Sequence, residues 1–154
     1  MDEFVSTYTN RLDSKGRVSI PAAFRAVLAR DGFDGLYCCP TLDGVAVDAG
    51  GNRLLDAIRE RLSRHDRFSP EHDDLSTTFM AQSERVGIDG EGRIILSEIF
   101  KDLARITERV TFVGQGYKFQ IWEPDLFLAY RDKAMARVRA LRQGSRSEPQ
   151  TGRE

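Results

Sequence analysis

The stretch Asp13-Ser14-Lys15-Gly16-Arg17 decides how this chain is built, because a similar stretch, Asp89-Gly90-Glu91-Gly92-Arg93, occurs later in the sequence. In each copy the aspartate can accept hydrogen bonds from nearby backbone N–H groups, and the glycine before the arginine supplies the positive φ of a tight turn. After the first turn, Val18 and Ile20 alternate with polar residues, which is typical of a half-buried strand. Both stretches therefore predict a hairpin turn that leads into a short strand.

The similarity extends beyond the two turns and indicates an internal repeat. With a shift of 76 positions, residues 12–27 align with residues 88–103. With a shift of 74 positions, residues 36–47 align with residues 110–121. Each copy is predicted to have the order strand, glycine turn, strand, short helix, strand, turn, strand.

The short helix of the first copy has a start, a buried face and an end that can be predicted. Pro21 fixes φ where a helix can begin, and Gly32 can end it. Phe24, Val27 and Leu28 fall on one helical face, which we expect to be buried.

A second hairpin closes each copy. In the first copy its strands are predicted at residues 36–40 and 45–47. In the second copy Gly114-Gln115-Gly116 forms the turn and residues 119–122 the returning strand. One such repeat leaves an open sheet, whereas two can close against each other as a small barrel that removes the exposed edges.

The chain accordingly divides into five segments. We expect a first unit at residues 5–50, a helix and polar connector at 51–79, a second unit at 80–125, a C-terminal helix at 126–142 and a disordered tail at 143–154. The connector opens with an amphipathic helix and is then predicted to be loop-like over residues 64–76. The apolar stripe of the C-terminal helix is expected to pack on its own unit or on a neighbouring subunit. The arginines of the tail can add nonspecific DNA affinity or serve only solubility.

Composition limits the classes of protein that this chain can be. The net charge is −1, which argues against a general polyanion binder, but the charge is unevenly distributed. Residues 8–30 hold five basic side chains and one acidic one, whereas residues 84–106 hold four basic and five acidic ones. The adjacent Cys38 and Cys39 are expected to be reduced strand residues of a cytoplasmic protein. We expect neither a secretion signal nor a membrane-spanning segment, because the sequence shows no apolar signal core and no long apolar run.

The residues 13–21, followed by Phe24-Arg25, resemble the start of proteins of the MraZ family, which carry two SpoVT/AbrB-type units per chain. The end of the second copy, with Gly114 and residues 119–124, is also similar to that family. The resemblance covers roughly residues 4–142, and its specificity comes from two D-x-x-G-R motifs at the right separation.

The resemblance implies a β-rich α+β fold, in which two repeats of one chain form a swapped-hairpin (double-split) β-barrel with peripheral helices. It also implies a ring-like homo-oligomer, cytoplasmic and associated with the nucleoid. Such a protein would regulate the bacterial division and cell wall gene cluster by binding short direct repeats in promoter DNA upstream of its own operon. The basic residue of the family motif corresponds to Arg17 in the first unit and Arg93 in the second, and Lys15 also matches the first-unit pattern.

Two positions depart from the family pattern. Ser97 stands where the first unit has Pro21, and because serine can cap a helix the fold is little affected. Glu91 stands where the first unit has Lys15, and a carboxylate at this turn would repel phosphates. We therefore expect the first hairpin to contact DNA and the second to serve mainly as scaffold, with a secondary contact at most.

The candidate site residues have separate roles. A two-stranded ribbon fits the major groove, where Arg17 can bond guanine O6 and N7 together. Basic side chains that would meet phosphates or add a weaker contact are Lys15, Arg11, Arg25 and Arg93. Residues that support the hairpin turns are Asp13, Gly16, Asp89 and Gly92. A structural interpretation of Arg17 is an ion pair with Asp13, and both roles can coexist because the aspartate can hold the guanidinium in position.

The sequence does not favour an enzyme, because it suggests no nucleophile with an adjacent base and contains no phosphate-binding P-loop. We expect no cofactor and no small-molecule substrate. His65 and His72 lie seven positions apart in an acidic segment, and this spacing fits a solvated loop better than a metal site. Trp122 is interpreted as a core or interface residue rather than a base-stacking one. The alternative function is an oligomeric interaction scaffold or an antitoxin-like partner of another protein.

Overall fold

The computed structural model of the protein describes residues 2–147, and the chain divides after Glu123 into two compact units. Within the described residues the first unit holds eight strands and four helices, and the second is one helix. The elements in chain order are β1 Thr7–Arg11, β2 Arg17–Ser19, α1 Ala22–Asp31, β3 Leu36–Pro40, β4 Val47–Gly50, α2 Asn52–Leu62, α3 Pro70–Phe79, β5 Glu84–Val86, β6 Arg93–Ile95, α4 Glu98–Ala104, β7 Arg109–Gly114, β8 Phe119–Trp122 and α5 Pro124–Ser147.

The order of elements confirms the internal repeat. The series β1, β2, α1, β3, β4 recurs as β5, β6, α4, β7, β8, with α2 and α3 between the two copies. The predicted helix boundaries of the first copy are also confirmed. Pro21 precedes α1, and Gly32 ends it in the left-handed conformation with φ 82°. Ser97 caps α4, because its side-chain oxygen accepts a hydrogen bond from the backbone N–H of Phe100 at 3.2 Å.

The two repeats exchange strands. A six-stranded antiparallel sheet has the order β1-β7-β8-β4-β3-β5. Its β1, from the first repeat, pairs with β7 of the second, and β5, from the second repeat, pairs with β3 of the first. The backbone pairing of the described strands leaves β1 and β5 at the edges of this sheet. The fold is thus α+β with a mostly antiparallel sheet.

The strands that follow the two glycine turns form a separate ribbon. In it β2 pairs antiparallel with β6, and Val18 lies opposite Ile94 at the centre. Both of these side chains are 1% exposed and belong to the main core. One repeat therefore supplies only one strand of the ribbon. Both repeats are needed to form the ribbon and to bury its inner face.

The six-stranded sheet has helices packed on both faces. One face packs against the ribbon and the helices α1 and α4 in the main core, whose large side chains include Phe24, Phe100, Phe112 and Phe119. The opposite face of β3 packs against α2 and α3 through a second cluster, Tyr37, Cys39, Leu54, Ile58, Leu62 and Phe79. Alternation along a strand explains this division, since successive side chains point to opposite faces.

Three sequence predictions differ from the structure. The returning strand β4 is Val47–Gly50 rather than residues 45–47, because six residues separate Pro40 from its partner Val47, whereas four separate Gly114 from Phe119. The Thr41 hydroxyl accepts backbone N–H bonds from positions 45 and 46, which holds this longer turn. The alignment kept the shift of 74 positions across this whole hairpin and therefore missed that insertion.

The connector and the C-terminal segment contain more helix than predicted. Residues 70–76 lie in α3 instead of a loop, because Pro70 begins the helix and the Ser69 side chain caps it by accepting from the His72 N–H. The helix α5 continues to Ser147, so it covers residues 143–147 of the segment for which disorder was predicted. The remainder of that predicted tail, residues 148–154, lies outside the described residues.

The two cysteines occupy the positions expected of them. Cys38 and Cys39 are free, buried in β3, and belong to the clusters on opposite faces of the sheet. Burial raises the pKa of both thiols, that of Cys39 to about 12, so both stay protonated. Among the described helices, none is long and apolar enough to cross a membrane.

Candidate nucleic-acid interface

Each glycine turn holds an arginine through one aspartate. Asp13 Oδ1 accepts from the backbone N–H groups of Lys15 and Arg17, both at 2.9 Å. Asp13 Oδ2 accepts from Arg17 Nε at 2.7 Å. The turn itself therefore orients the Arg17 guanidinium. This geometry is compatible both with a structural ion pair to Asp13 and with a contact to DNA.

The second turn repeats this arrangement bond for bond. Asp89 Oδ1 accepts from the backbone N–H groups of Glu91 and Arg93 at 2.9 Å, and Oδ2 accepts from Arg93 Nε at 2.9 Å. Gly16 and Gly92 both have φ 79°, in the left-handed region that favours glycine. The D-x-x-G-R spacing thus encodes one complete local structure, twice.

The ribbon brings the two arginines to one face. In the antiparallel register Arg17 lies opposite Ile95, and Ser19 lies opposite Arg93. These four residues alternate with the buried pair at the ribbon centre, so all four share its outer face. The side chains of Arg17 and Arg93 are 30% and 26% exposed. The outer face therefore presents two guanidinium groups to solvent, related by an approximate two-fold axis.

Each repeat also braces the turn of the other. The Ile20 N–H donates to Gly92 O at 2.9 Å, and the Leu96 N–H donates to Gly16 O at 3.2 Å. Arg25 packs so closely on Gly92 that a Cβ at that glycine would collide with the arginine side chain. Its Nη1 donates to Ile20 O at 3.0 Å. Arg25 thus has a structural role at the second turn in addition to the phosphate contact expected from the sequence.

The remaining predicted residues lie around the ribbon. Lys15 is exposed in the first turn, and Arg11 is exposed at the end of β1, opposite Arg109 of β7. The neighbouring Asn10 joins β1 to the ribbon, because its Nδ2 donates to Ser19 O at 2.8 Å.

Two basic residues near this surface were not among the predicted site residues. Lys101 is the repeat equivalent of Arg25, and a Cβ at Gly16 would lie 3.9 Å from its Nζ. Its ammonium also pairs with Glu98 at 2.8 Å. The alignment of Phe24-Arg25 with Phe100-Lys101 already contained the signal for Lys101. Arg109 had no such signal, since only the pairing of β1 with β7 places it beside Arg11.

The two turns differ in charge. Arg93 Nη2 lies 3.4 Å from Glu91 Oε2, so this guanidinium has two carboxylate partners. The hydrogen bond that Arg93 donates to Asp89, with the attraction of both carboxylates, raises the pKa of Arg93. The corresponding position in the first turn is the exposed Lys15. A polyanion that approaches the ribbon therefore meets two basic and one acidic side chain at the first turn, and one basic and two acidic side chains at the second.

The ionised Asp13 is expected to stabilise the first turn over a defined pH range. The pKa of this carboxyl is lowered from its usual 3.8 to about 2, and the main cause is the hydrogen bond from the backbone N–H of Arg17. Because the folded pKa is the lower one, the stabilisation is complete above about pH 4 and is lost as the pH falls towards 2. In urea unfolding at a series of pH values, we expect the stability lost in Asp13→Asn to be constant above that range and to shrink below it.

A matched control for this titration is Asp34→Asn, at an exposed aspartate in the loop after α1. It removes an exposed carboxylate that lies outside the two glycine turns. A destabilisation by Asp13→Asn that stayed the same down to pH 2 would contradict the assigned role of the carboxylate charge.

The two histidines of the connector do not form a metal centre in the described part of the chain. His65 follows α2 and His72 lies in α3, and both line one open pocket that also contains Arg59 and Arg67. Among the described residues, no group of three or more His, Cys, Asp or Glu side chains could hold a metal ion. Trp122 is 3% exposed in β8, with its Nε1 donating to Gln120 Oε1, which agrees with a core position.

Comparison with known proteins identifies the family. A protein of Beijerinckia indica subsp. indica named "Transcriptional regulator MraZ" is 56% identical over 149 residues, covering 97% of this chain and 91% of its own length. Relatives with the same name in Xanthobacter autotrophicus and Rhizobium meliloti are 53% and 38% identical, and each match covers 96% of this chain. The chain belongs to the MraZ family.

The family model, described as "MraZ protein, putative antitoxin-like", matches residues 79–143 of this chain. That range contains the second glycine turn and its ribbon strand β6. The MraZ relatives, in contrast, match both repeats, so the family assignment covers both halves of the ribbon.

Proposed function

We propose that this MraZ family member is a sequence-specific transcriptional regulator that binds double-stranded DNA with the outer face of the β2–β6 ribbon. The observation that supports this proposal most directly is the pair Arg17 and Arg93. Both lie on the outer face of the ribbon, and each is oriented by the aspartate of its own turn. The names of the relatives, all transcriptional regulators, support the same function.

The geometry of the ribbon fits the major groove of DNA. A two-stranded ribbon enters that groove, and an arginine there can bond guanine O6 and N7 together. Arg17 uses its Nε for Asp13, so the terminal NH₂ groups are the ones that would meet a base edge. Such a bidentate contact contributes roughly 1–3 kcal/mol of discrimination against the wrong base.

The surrounding cations would position the protein without reading sequence. Lys15 and Arg11 are exposed at the turn and at the strand end, where phosphates flank the groove. Arg25 donates one N–H to Ile20 O and retains others for a phosphate. The second turn, where Glu91 lies beside Arg93, would contribute less to binding.

Assembly would supply the remaining affinity. We propose that the exchanged hairpins close as a swapped-hairpin barrel and that several chains form a ring-like homo-oligomer, each binding one of several short direct repeats. Linked sites gain affinity through effective concentration. Exposed apolar side chains on α5, including Val138 and Leu141, support a surface for such assembly. The target that the family resemblance implies is the promoter of the division and cell wall gene cluster, in a cytoplasmic, nucleoid-associated protein.

A second candidate function is an antitoxin-like partner or oligomeric scaffold that does not read DNA. The description of the family model favours it, because that description includes the word antitoxin-like. The two functions differ in their dependence on salt, since neutralising phosphates releases condensed counterions.

Salt titration of DNA binding tests the proposal. For a fragment covering the region upstream of its own gene, we expect the logarithm of the binding constant to fall steeply and linearly with the logarithm of salt concentration. Lys15→Gln should reduce that slope by about 1, the effect of one lost phosphate contact. Arg61→Gln, at an exposed arginine on the helix α2 that packs on the far face of the sheet, is the matched control. Equal affinity for this fragment and for random DNA at moderate salt would exclude the regulator in favour of the scaffold.

A further inference from the structure

The outer face of the ribbon departs from the two-fold symmetry that its backbone follows. The Val18–Ile94 pair lies at the centre, and the two turns have the same hydrogen bonds. The arginines correspond to each other across this centre, but Ser19 of β2 corresponds to Ile95 of β6. One half of the face therefore ends in a hydroxyl and the other in a branched apolar side chain.

Ile95 is unusual because of where it is exposed. A single exposed isoleucine needs no explanation by itself. This one is 61% exposed and lies directly opposite Arg17, the residue expected to read a guanine. Facing residues on one side of an antiparallel pair have Cβ atoms roughly 5 Å apart. Any ligand that Arg17 binds on this face therefore also meets Ile95.

We infer that Ile95 contacts the 5-methyl group of a thymine beside the guanine read by Arg17, an inference that rests on the proposed DNA-binding function. In the major groove thymine alone presents a methyl group, and an apolar side chain is its natural contact. Stacked bases are spaced about 3.4 Å apart, so the Ile95 side chain reaches the base pairs next to that guanine. Ser19, beside Arg93, offers a hydroxyl that bonds any of several base edges and imposes no such preference.

The consequence is a fixed orientation on DNA. A fully two-fold ribbon would read a palindrome and would bind equally well after half a turn about its axis. Ile95 at one end and Ser19 at the other make the two orientations unequal. The word read by one chain is therefore asymmetric, with thymine next to guanine in the half contacted by Arg17 and Ile95.

The test compares Ile95→Ser, which restores the side chain of the symmetry-related position, with the full-length unaltered chain. Each protein selects its word from a random double-stranded oligonucleotide pool. Thymines of the selected word are then replaced singly by deoxyuridine, which removes only the methyl group. Phe68→Ser, at a 94% exposed phenylalanine in the loop between α2 and α3, controls for the loss of an exposed apolar side chain. Light scattering records the subunit count of every variant.

We expect the unaltered chain and Phe68→Ser to select an asymmetric word and to lose about three- to fivefold in affinity at one deoxyuridine position, the effect of one methyl group removed from an apolar contact. Ile95→Ser should lose that sensitivity and select a more symmetric word. Retention of the sensitivity in Ile95→Ser, or a palindromic word for the unaltered chain, would overturn the inference while leaving the DNA-binding function intact. A changed subunit count with an unchanged word would instead assign Ile95 to a contact between copies of the chain. Selection of no word at all would reject the proposed function itself.

Discussion

Arg17→Ala is expected to abolish specific DNA binding while leaving the fold and the subunit count unchanged. In the proposed complex the truncated side chain would lose a bidentate guanine contact worth roughly 1–3 kcal/mol, about 5- to 150-fold in affinity for each site. If several chains of one assembly engage several repeats, these losses multiply, and we expect more than a 100-fold loss for the assembly. Fluorescence anisotropy with specific and random DNA at one fixed salt concentration measures the effect.

The matched control is Arg93→Ala, which removes the symmetry-related side chain. Arg93 is held by Asp89 and also lies 3.4 Å from Glu91, so its guanidinium would meet DNA with a carboxylate beside it. We expect it to lose less than about fivefold, a fraction of one base contact. Equal losses in the two variants would show that Glu91 does not weaken the second hairpin. Circular dichroism and light scattering of both variants verify that fold and assembly are retained.

Phe24→Ala is expected to cause the largest loss of stability among single substitutions in residues 2–123. The side chain is 1% exposed, and its ring contacts those of Phe4, Tyr8 and Phe119 at centroid distances of 5.3, 5.4 and 4.9 Å. Truncation removes buried apolar surface and leaves a cavity, which costs about 3–5 kcal/mol. Chemical unfolding at one fixed protein concentration measures the difference, since assembly changes the apparent stability.

Phe68→Ala provides the comparison at equal chemistry, because Phe68 is 94% exposed. We expect a change within about 0.5 kcal/mol, as for most surface positions. A loss below about 1 kcal/mol for Phe24→Ala would mean that the aromatic cluster between α1 and the sheet does not stabilise the fold as packed.

Features that depend on neighbouring residues could be predicted from the sequence. Asp13, Gly16 and Arg17 lie within five positions, and their hydrogen bonds close within that span. The same holds for the cap at Ser97 and for Gly32 at the end of α1. The alternation around Val18 predicted a half-buried strand because one face of the ribbon lies on the core.

Features that depend on distant residues could not be predicted in the same way. The contact of Arg25 with Gly92 and the placement of Arg109 beside Arg11 require the two repeats to exchange strands. The start of β4 depends on a longer turn held by the Thr41 hydroxyl. An alignment whose shift is constant across the closing hairpin does not detect the extra residues of that turn. Phe4, in an acidic N-terminal stretch, lies in the core, where its backbone bridges to Gly116.

The sequence by itself determined two copies of a hairpin turn, each with an aspartate at its start and an arginine at its end, and the unequal charges of those turns. Such features follow from φ preferences and short-range hydrogen bonds, which involve only residues close together in the chain. Only the tertiary structure decided that β2 and β6 join into one ribbon and that Arg17 shares its outer face with Ile95. Pairing between residues far apart along the chain becomes favourable only when the buried faces of both repeats pack together, because burial of apolar surface has to offset the entropy of closing the long loop between them.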